Sequence, residues 1–162
     1  MRSLLRIFGF SLITISLLPV QSSFAVSSQV PKPSSAPLEL DLLQDPKGSV
    51  STANTLSQGK MSTPSLWLEK HNLASQLLDN WIAYPPKDTE PARVDLVVNQ
   101  EVWSSLDYLD RYSFINRFGN VARNYGYNVR VFNYQKELLA TYTCNFSTSP
   151  AACGIEINTK VT

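Results

Sequence analysis

The residue types that most often carry out catalysis are sparse in this sequence. The chain has one histidine, His71, which lies in a stretch whose apolar spacing predicts a helix. A catalytic histidine needs a nucleophile or an orienting carboxylate within hydrogen-bond reach, and the sequence marks neither neighbour. Asp107 and Asp110 lie three residues apart where a helix is predicted to begin, a position at which aspartates usually cap the helix and complement its dipole. We therefore assign no catalytic residue.

Cofactor and metal motifs are also missing from the sequence. The six glycines are scattered, and no Gly-x-Gly-x-x-Gly or phosphate-binding loop occurs. Two cysteines and one histidine do not make a zinc site. We expect no cofactor and no metal ligand.

The two cysteines, Cys144 and Cys153, are separated by a segment rich in Ser, Thr, Pro and Ala. Redox-active pairs usually have two intervening residues at a helix start, which does not fit this spacing. Nearby cysteines in an oxidising compartment most often pair, so we predict a structural disulfide. In the chain-entropy model, closing a loop this short stabilises the fold by about 2.5–3 kcal/mol.

The first residues are typical of a secretory signal peptide. Arg2 and Arg6 precede an uncharged, mostly apolar run from Ile7 to Val20. That run has the length of a signal h-region and is too short to span a bilayer comfortably. Ser23-Phe24-Ala25 supplies small residues for cleavage, so we predict a signal peptide over residues 1–25, with an uncleaved anchor as the alternative. The exported chain would lie in a periplasm or thylakoid lumen, or outside the cell, with no transmembrane anchor after cleavage.

Charge argues against nucleic-acid binding. The chain has 14 basic and 13 acidic residues, and removing the two signal arginines leaves 12 − 13 = −1. Nonspecific nucleic-acid binding needs a basic surface that displaces counterions. We therefore expect no nucleic-acid partner.

Composition divides the rest of the chain into two parts. Residues 26–62 are rich in Ser, Pro, Gln and Thr, and they contain Pro31-Lys32-Pro33-Ser34-Ser35-Ala36-Pro37. We predict a disordered linker there, interrupted by the apolar patch Leu38 to Leu43. Residues 63–162 hold all three tryptophans and are long enough for a single domain with its own core.

Hydrophobic spacing predicts the order α-β-α-β-β-β in that domain. The first helix follows Thr63-Pro64, includes Leu77, Leu78, Trp81 and Ile82, and is stopped by Tyr84-Pro85-Pro86. A strand is predicted next, at Arg93–Val98. After Asn99 comes either one helix or a short helix leading into a longer one, which starts near Asp107 and ends at Gly126. The remaining strands are predicted at Asn128–Tyr134, Leu138–Cys144 and Gly154–Thr159.

The first β-α-β step predicts a right-handed crossover with parallel strands, and the later strands add as antiparallel hairpins. The expected fold is an α/β (α+β) two-layer sandwich: a mixed sheet of three to four strands with two helices on one face. The other face would then be exposed and polar. Its residues would be Arg93, Asp95, Arg130, Phe132, Thr141, Thr143, Glu156 and Asn158.

Two groups of residues are weak candidates for a binding surface. Arg130, Phe132 and Thr141 lie on the predicted exposed sheet face, where a concave patch could hold a ligand. Tyr108 and Tyr112 belong to a group of tyrosines around the second helix, and tyrosine is enriched at interfaces.

Four stretches together resemble a family of small exported cyanobacterial proteins. They are Leu77 to Trp81, Arg93 to Asn99, Leu106 to Tyr112, and Arg130 to Asn133, and the resemblance covers about Leu66 to Cys144. It implies a periplasmic or lumenal location. It supplies no activity, cofactor or site residue.

Three functions are compatible with these features. The first is a non-enzymatic interaction or accessory module with a protein partner of the envelope or lumen. The second is a small-ligand or glycan-binding protein that uses the exposed sheet face. The third is a small hydrolase with Asp95, Asp107 or His71 in a cleft, which needs two of them within hydrogen-bond reach. The absence of catalytic motifs favours a protein that is not an enzyme.

Overall fold

The computed structural model describes residues 29–55, 76–88 and 90–158. These residues form a mixed α+β fold with two helices and a sheet of six strands, so the prediction of three to four strands is wrong. In chain order the elements are a 3-10 turn (Leu40–Leu43), β1 (Ser51–Thr52), β2 (Leu78–Tyr84), β3 (Arg93–Val98), α1 (Gln100–Ser105), α2 (Tyr108–Arg123), β4 (Asn128–Phe132), β5 (Leu138–Asn145) and β6 (Ala152–Ile157). The strands lie side by side in sequence order.

The predicted β-α-β step is confirmed. β3 and β4 pair in parallel, with Val94 opposite Val129, and every other neighbouring pair is antiparallel. The helical stretch between them divides into α1 and α2, because the Asn99 side chain caps the first helix and the Asp107 side chain caps the second. Gly126 takes a positive φ of 79°, which lets the chain leave α2 and enter β4.

The first predicted helix is wrong over Leu78–Tyr84, which is strand β2. In this strand Trp81 packs in the core beneath the helices, whereas Ile82 packs in a second cluster on the opposite face. Because both faces of β2 are covered, its apolar residues do not alternate with polar ones, and their spacing imitates a helical stripe. The earlier part of that prediction, residues 63–75, lies outside the described residues.

Both helices cover one face of the sheet. Trp103 of α1 meets Phe114 of α2 edge to face, with ring centroids 6.0 Å apart. These rings pack on valines and leucines of the central strands, which form one buried cluster with them. The principal core residues are Trp81, Val94, Leu96, Val98, Phe114, Ile115, Phe118, Val129, Val131 and Tyr142.

The opposite face is covered by residues 29–43, here called the strap. At one end Asn145 donates to the Gln29 carbonyl (3.4 Å), and Val30 lies over Gly154 of β6. At the other end Leu38 and Leu42 are buried in the second cluster. The strap therefore crosses the sheet from β6 to β2, and the prediction of an exposed polar face is wrong.

The strap belongs to the stretch for which the sequence predicts a disordered linker. Its anchor is the apolar patch that interrupts the linker, where Leu38 is 3% and Leu42 is 6% exposed. These side chains bury against Ile82, Val97 and Phe132, and burial of a leucine contributes about 1.5–3 kcal/mol. The bounds of the signal peptide and of the domain stay predictions.

The predicted disulfide is present. Cys144 and Cys153 face each other across β5 and β6, with an S–S distance of 2.04 Å. Cys144 is buried and belongs to the core cluster beneath the helices. The bond therefore joins the edge strand β6 to the core.

Removal of the disulfide is expected to lower the free energy of unfolding by about 2.5–3 kcal/mol, because the unfolded chain regains the entropy of the opened loop. Urea unfolding of the Cys144→Ala/Cys153→Ala variant, measured beside the oxidised wild type, checks this. A loss below about 1 kcal/mol would show that the short loop adds little constraint to the unfolded chain.

Candidate functional site

The five sequence-predicted surface candidates fall into two different environments. Arg130, Phe132 and Thr141 are 2%, 6% and 3% exposed, since they lie beneath the strap or in the sheet core. Tyr108 and Tyr112 are exposed at the start of α2, where their rings stack with centroids 6.4 Å apart. The structure does not bring the two groups together, because α2 and the strap lie on opposite faces of the sheet.

Beneath the strap, Asp95 and Arg130 form a buried ion pair on the adjacent parallel strands β3 and β4. Arg130 donates from Nε to Asp95 Oδ1 at 2.8 Å and from Nη2 to Oδ2 at 2.6 Å. Its Nη1 donates to the carbonyls of Ser34 and Ala36, at 2.9 and 2.6 Å. One guanidinium thus joins the sheet to the strap through two strap carbonyls.

A second arginine, Arg93, lies on the other side of Asp95. Its Nε is 3.7 Å from Asp95 Oδ2, and its Cζ lies 3.9 Å above the centre of the Tyr84 ring. The Arg93 side chain is only 9% exposed. Within the described residues its Nε makes no hydrogen bond.

Burial shifts the ionisation of this cluster. It raises the pKa of the Asp95 carboxyl, and the hydrogen bonds and charge of Arg130 and the charge of Arg93 act in the opposite direction. Burial also raises the pKa of the Tyr84 hydroxyl, and the charges of Asp95 and Glu39 and the approach of the Glu39 carboxylate to the hydroxyl raise it further, whereas the charge of Arg93 lowers it. Tyr84 therefore keeps its proton at neutral pH and is available as a hydrogen-bond donor.

Tyr84 and Arg93 line a groove of about 700 Å³. One wall comes from the end of the strap and the turn that follows it, and the other comes from the connection between β2 and β3. The lining residues are Glu39, Asp41, Leu42, Lys47, Ser49, Val50, Tyr84, Pro85, Pro86, Lys87, Asp88, Glu90 and Arg93. We call this the strap groove.

The floor and the rim of the strap groove differ in chemistry. Leu42, Tyr84 and Arg93 are buried, whereas the acidic and lysine side chains around them are exposed. The Tyr84 hydroxyl and Arg93 Nε are both buried without a hydrogen bond among the described residues. Buried donors are normally paired, so an unpaired donor at a groove points to a ligand or ordered water as its partner.

Among the described residues, the structure does not bring together the two aspartates that the hydrolase hypothesis names, Asp95 and Asp107. Asp95 faces the strap and is held by Arg130, whereas Asp107 accepts the Asp110 amide (2.8 Å) at the start of α2, on the helix side of the sheet. His71 lies outside the described residues. Across the part of the chain that the structure describes, no cluster of three or more His, Cys, Asp or Glu side chains could hold a metal ion.

Comparison of this chain with protein-family models, curated proteins and solved structures found no match. The site is therefore interpreted from its own geometry. In addition, none of the helices described is long and apolar enough to cross a membrane.

Sequence reasoning identified Arg93 only as a polar position on a strand, named Asp95 also as a candidate carboxylate of a hydrolase, and missed Tyr84 and Glu39. One signal was available. Arg93 and Asp95 alternate with the apolar residues of β3, and Arg130 has the same position in β4. Opposite charges on two strands predicted to be parallel neighbours indicate a paired, buried cluster more strongly than an exposed face.

Proposed function

We propose that this protein is a non-catalytic binding protein that holds a small ligand in the strap groove. The observation that carries the proposal is a pair of buried donors at its floor, the Tyr84 hydroxyl and Arg93 Nε, neither of which makes a hydrogen bond to another residue that the structure describes. Both groups can donate a hydrogen bond and the Arg93 guanidinium cannot accept one, so an acceptor group on the ligand is the one that complements both. A planar carboxylate matches the fork of an arginine side chain best.

Binding explains this site better than catalysis does. The ionisable groups at its floor are an arginine, which stays protonated and charged, and a tyrosine, which stays protonated and neutral because its pKa is raised. Neither is poised to exchange a proton near neutral pH, which general acid–base catalysis requires. The volume of the groove lies within the range of about 300–1,000 Å³ that is usual for small-molecule sites.

The predicted signal peptide places this binding outside the cytoplasm, and the disulfide is compatible with an oxidising compartment. An exported binding protein would meet its ligand in a periplasm, a lumen or the medium. The proposal thus keeps ligand binding, the second hypothesis drawn from the sequence. The proposed binding site is now the strap groove and no longer the sheet face.

Tyr84→Phe is the sharpest test, because it removes one hydroxyl and keeps the ring beneath Arg93. The free protein should keep its stability or gain up to about 1–3 kcal/mol, since a buried unpaired donor is lost. Affinity for a carboxylate ligand should fall about 10-fold, because one hydrogen bond to a charged group contributes about 1.5 kcal/mol or more. Thermal unfolding and titration calorimetry with succinate and a free tripeptide, trialanine, measure the two effects.

The matched control is Tyr134→Phe, which removes an exposed hydroxyl outside the groove. It should leave affinity unchanged. If neither succinate nor trialanine binds the wild type, or if Tyr84→Phe binds as tightly as the wild type, the strap groove is not the binding site.

A second function, protein interaction, is favoured by one specific observation. Tyr108, Leu109 and Tyr112 are 59%, 72% and 42% exposed and lie together on the first turns of α2. We call these residues the tyrosine patch. Large exposed apolar side chains that cluster in this way are typical of contact surfaces, and stacked tyrosines supply rigid contact area.

The tyrosine patch is tested by capture of a partner from the cell envelope after mild crosslinking. A partner that contacts the patch should be lost from the Tyr108→Ser/Tyr112→Ser variant and retained by Phe146→Ser, which changes an exposed aromatic residue elsewhere. Equal capture by both variants would exclude the patch as the contact surface.

A further inference from the structure

We infer that the ligand of the strap groove is a zwitterion, and specifically a short peptide with a free amino group and a free carboxylate. The inference rests on the proposed binding function and adds the chemical class of the ligand. Its basis is the distribution of charge between the floor of the groove, where the buried cation Arg93 lies, and its rim, where exposed carboxylates predominate.

The floor selects a group with a single negative charge. Arg93 and Tyr84 offer donors there, but the fully buried Asp95 carboxylate lies 3.7 Å behind Arg93. The rim adds Glu39, Asp41, Asp88 and Glu90 against Lys47 and Lys87. Three cations and four carboxylates give the lining a net charge of −1, which repels a dianion such as phosphate more than a carboxylate.

The rim also offers an acceptor for a positive group. Glu39 lines the groove together with Tyr84 and its side chain is exposed, so its carboxylate can meet a ligand bound there. Glu90 is already bonded by Ser34 Oγ at 2.9 Å. Glu39 is therefore the best-placed partner for a ligand ammonium group, beside a carboxylate held by Arg93.

The shape of the groove favours a peptide over a sugar. Sugars commonly use an exposed aromatic face, but Tyr84 is the only aromatic residue of the groove lining that the structure describes, and Arg93 covers one face of its ring. The volume of about 700 Å³ exceeds what a single small amino acid needs. A di- or tripeptide fills more of it and separates the two charged ends.

Calorimetric titration of the protein with six probes tests this inference. The probes are trialanine, N-acetyl-trialanine, trialanine amide, succinate, inorganic phosphate and maltose. Trialanine should bind at least 10-fold more tightly than each blocked peptide, because each blocked form loses one charge-assisted hydrogen bond. Glu39→Gln should weaken trialanine binding without weakening N-acetyl-trialanine binding, and Glu101→Gln, which changes an exposed glutamate on α1, is the matched control.

The outcomes separate the two proposals. If N-acetyl-trialanine, succinate or phosphate binds as tightly as trialanine and Tyr84→Phe weakens that binding, the groove is an anion site and the zwitterion inference is overturned. If maltose binds and the peptides do not, the ligand is a glycan and the inference is also overturned. If none of these compounds binds, the proposed function fails as well.

Discussion

Arg130→Met is expected to lower the free energy of unfolding by about 3–5 kcal/mol, the largest effect of any single substitution considered for this protein. Methionine keeps most of the apolar volume of the side chain but removes both hydrogen bonds to Asp95 and both to the strap carbonyls. Asp95 is fully buried, so it would be left with only the more distant Arg93. Leaving one charge of a buried pair without its partner accounts for the expected loss.

A double substitution separates the ion pair from the packing. In Asp95→Leu/Arg130→Met neither buried charge of the pair remains, so this variant should recover part of the stability lost by the single variant. The recovery is incomplete because the buried Arg93 loses its carboxylate partner. Arg117→Met is the surface control, since Arg117 is exposed on α2, and it should change stability by less than about 0.5 kcal/mol. Urea unfolding of the four proteins gives the comparison.

The strap provides a second measurement for the same variant. Because Arg130 donates to Ser34 and Ala36, its loss should also increase amide hydrogen exchange in residues 38–43 relative to the sheet. If Arg130→Met unfolds like the wild type and the strap stays protected, the buried pair does not hold the strap in place. The apolar contacts of Leu38 and Leu42 would then be sufficient.

The central part of the fold could be predicted because its signals are local. Strand β3 is a short, mostly apolar run, and Asn99, Asp107 and Gly126 mark where helices begin and end. Each of these signals acts within a few residues of the chain. The parallel pairing of β3 and β4 then follows from the handedness of the crossover.

The errors concern segments whose conformation is set by distant contacts. Trp81 lies in a strand whose two faces are both covered, one by the helices and the other by the strap. The sequence around Trp81 does not show that second cover, so its apolar spacing predicts a helix. The strap itself has few local signals, since its prolines and serines are typical of linkers. Its position depends on Arg130, almost a hundred residues later in the chain.

The strap groove could not be predicted for the same reason. It needs Glu39 of the strap beside Tyr84 at the end of β2 and Arg93 at the start of β3. Hydrophobic spacing placed Tyr84 at the end of a helix, where it would not face Arg93. The site therefore forms because the antiparallel register of β2 and β3 puts Tyr84 opposite Arg93. The hydrophobic pattern of a single segment carries no information about that register.

Gly119→Leu is expected to lower the free energy of unfolding by about 3 kcal/mol, near the upper end for overpacking of a core. Gly119 lies on the buried face of α2, directly against the ring of Tyr142 on β5. A Cβ atom at this position would overlap three ring atoms, with Cε2 at 2.6 Å. The ring is 4% exposed, so it has little room to move. Replacing glycine within a helix otherwise gains up to about 1 kcal/mol, and the overlap outweighs that gain.

A compensating change shows whether the overlap is the cause. Tyr142→Ala alone should also be destabilising, because it leaves a cavity beneath α2. In the double variant Gly119→Leu/Tyr142→Ala the leucine fills space that the ring vacated, so the combined loss should be smaller than the sum by about 1–3 kcal/mol. Ser113→Leu, at an exposed position of the same helix, is the control for leucine in α2. Additive losses would mean that α2 and β5 are not in close contact at Gly119, and the packing of the helix layer on the sheet would need revision there.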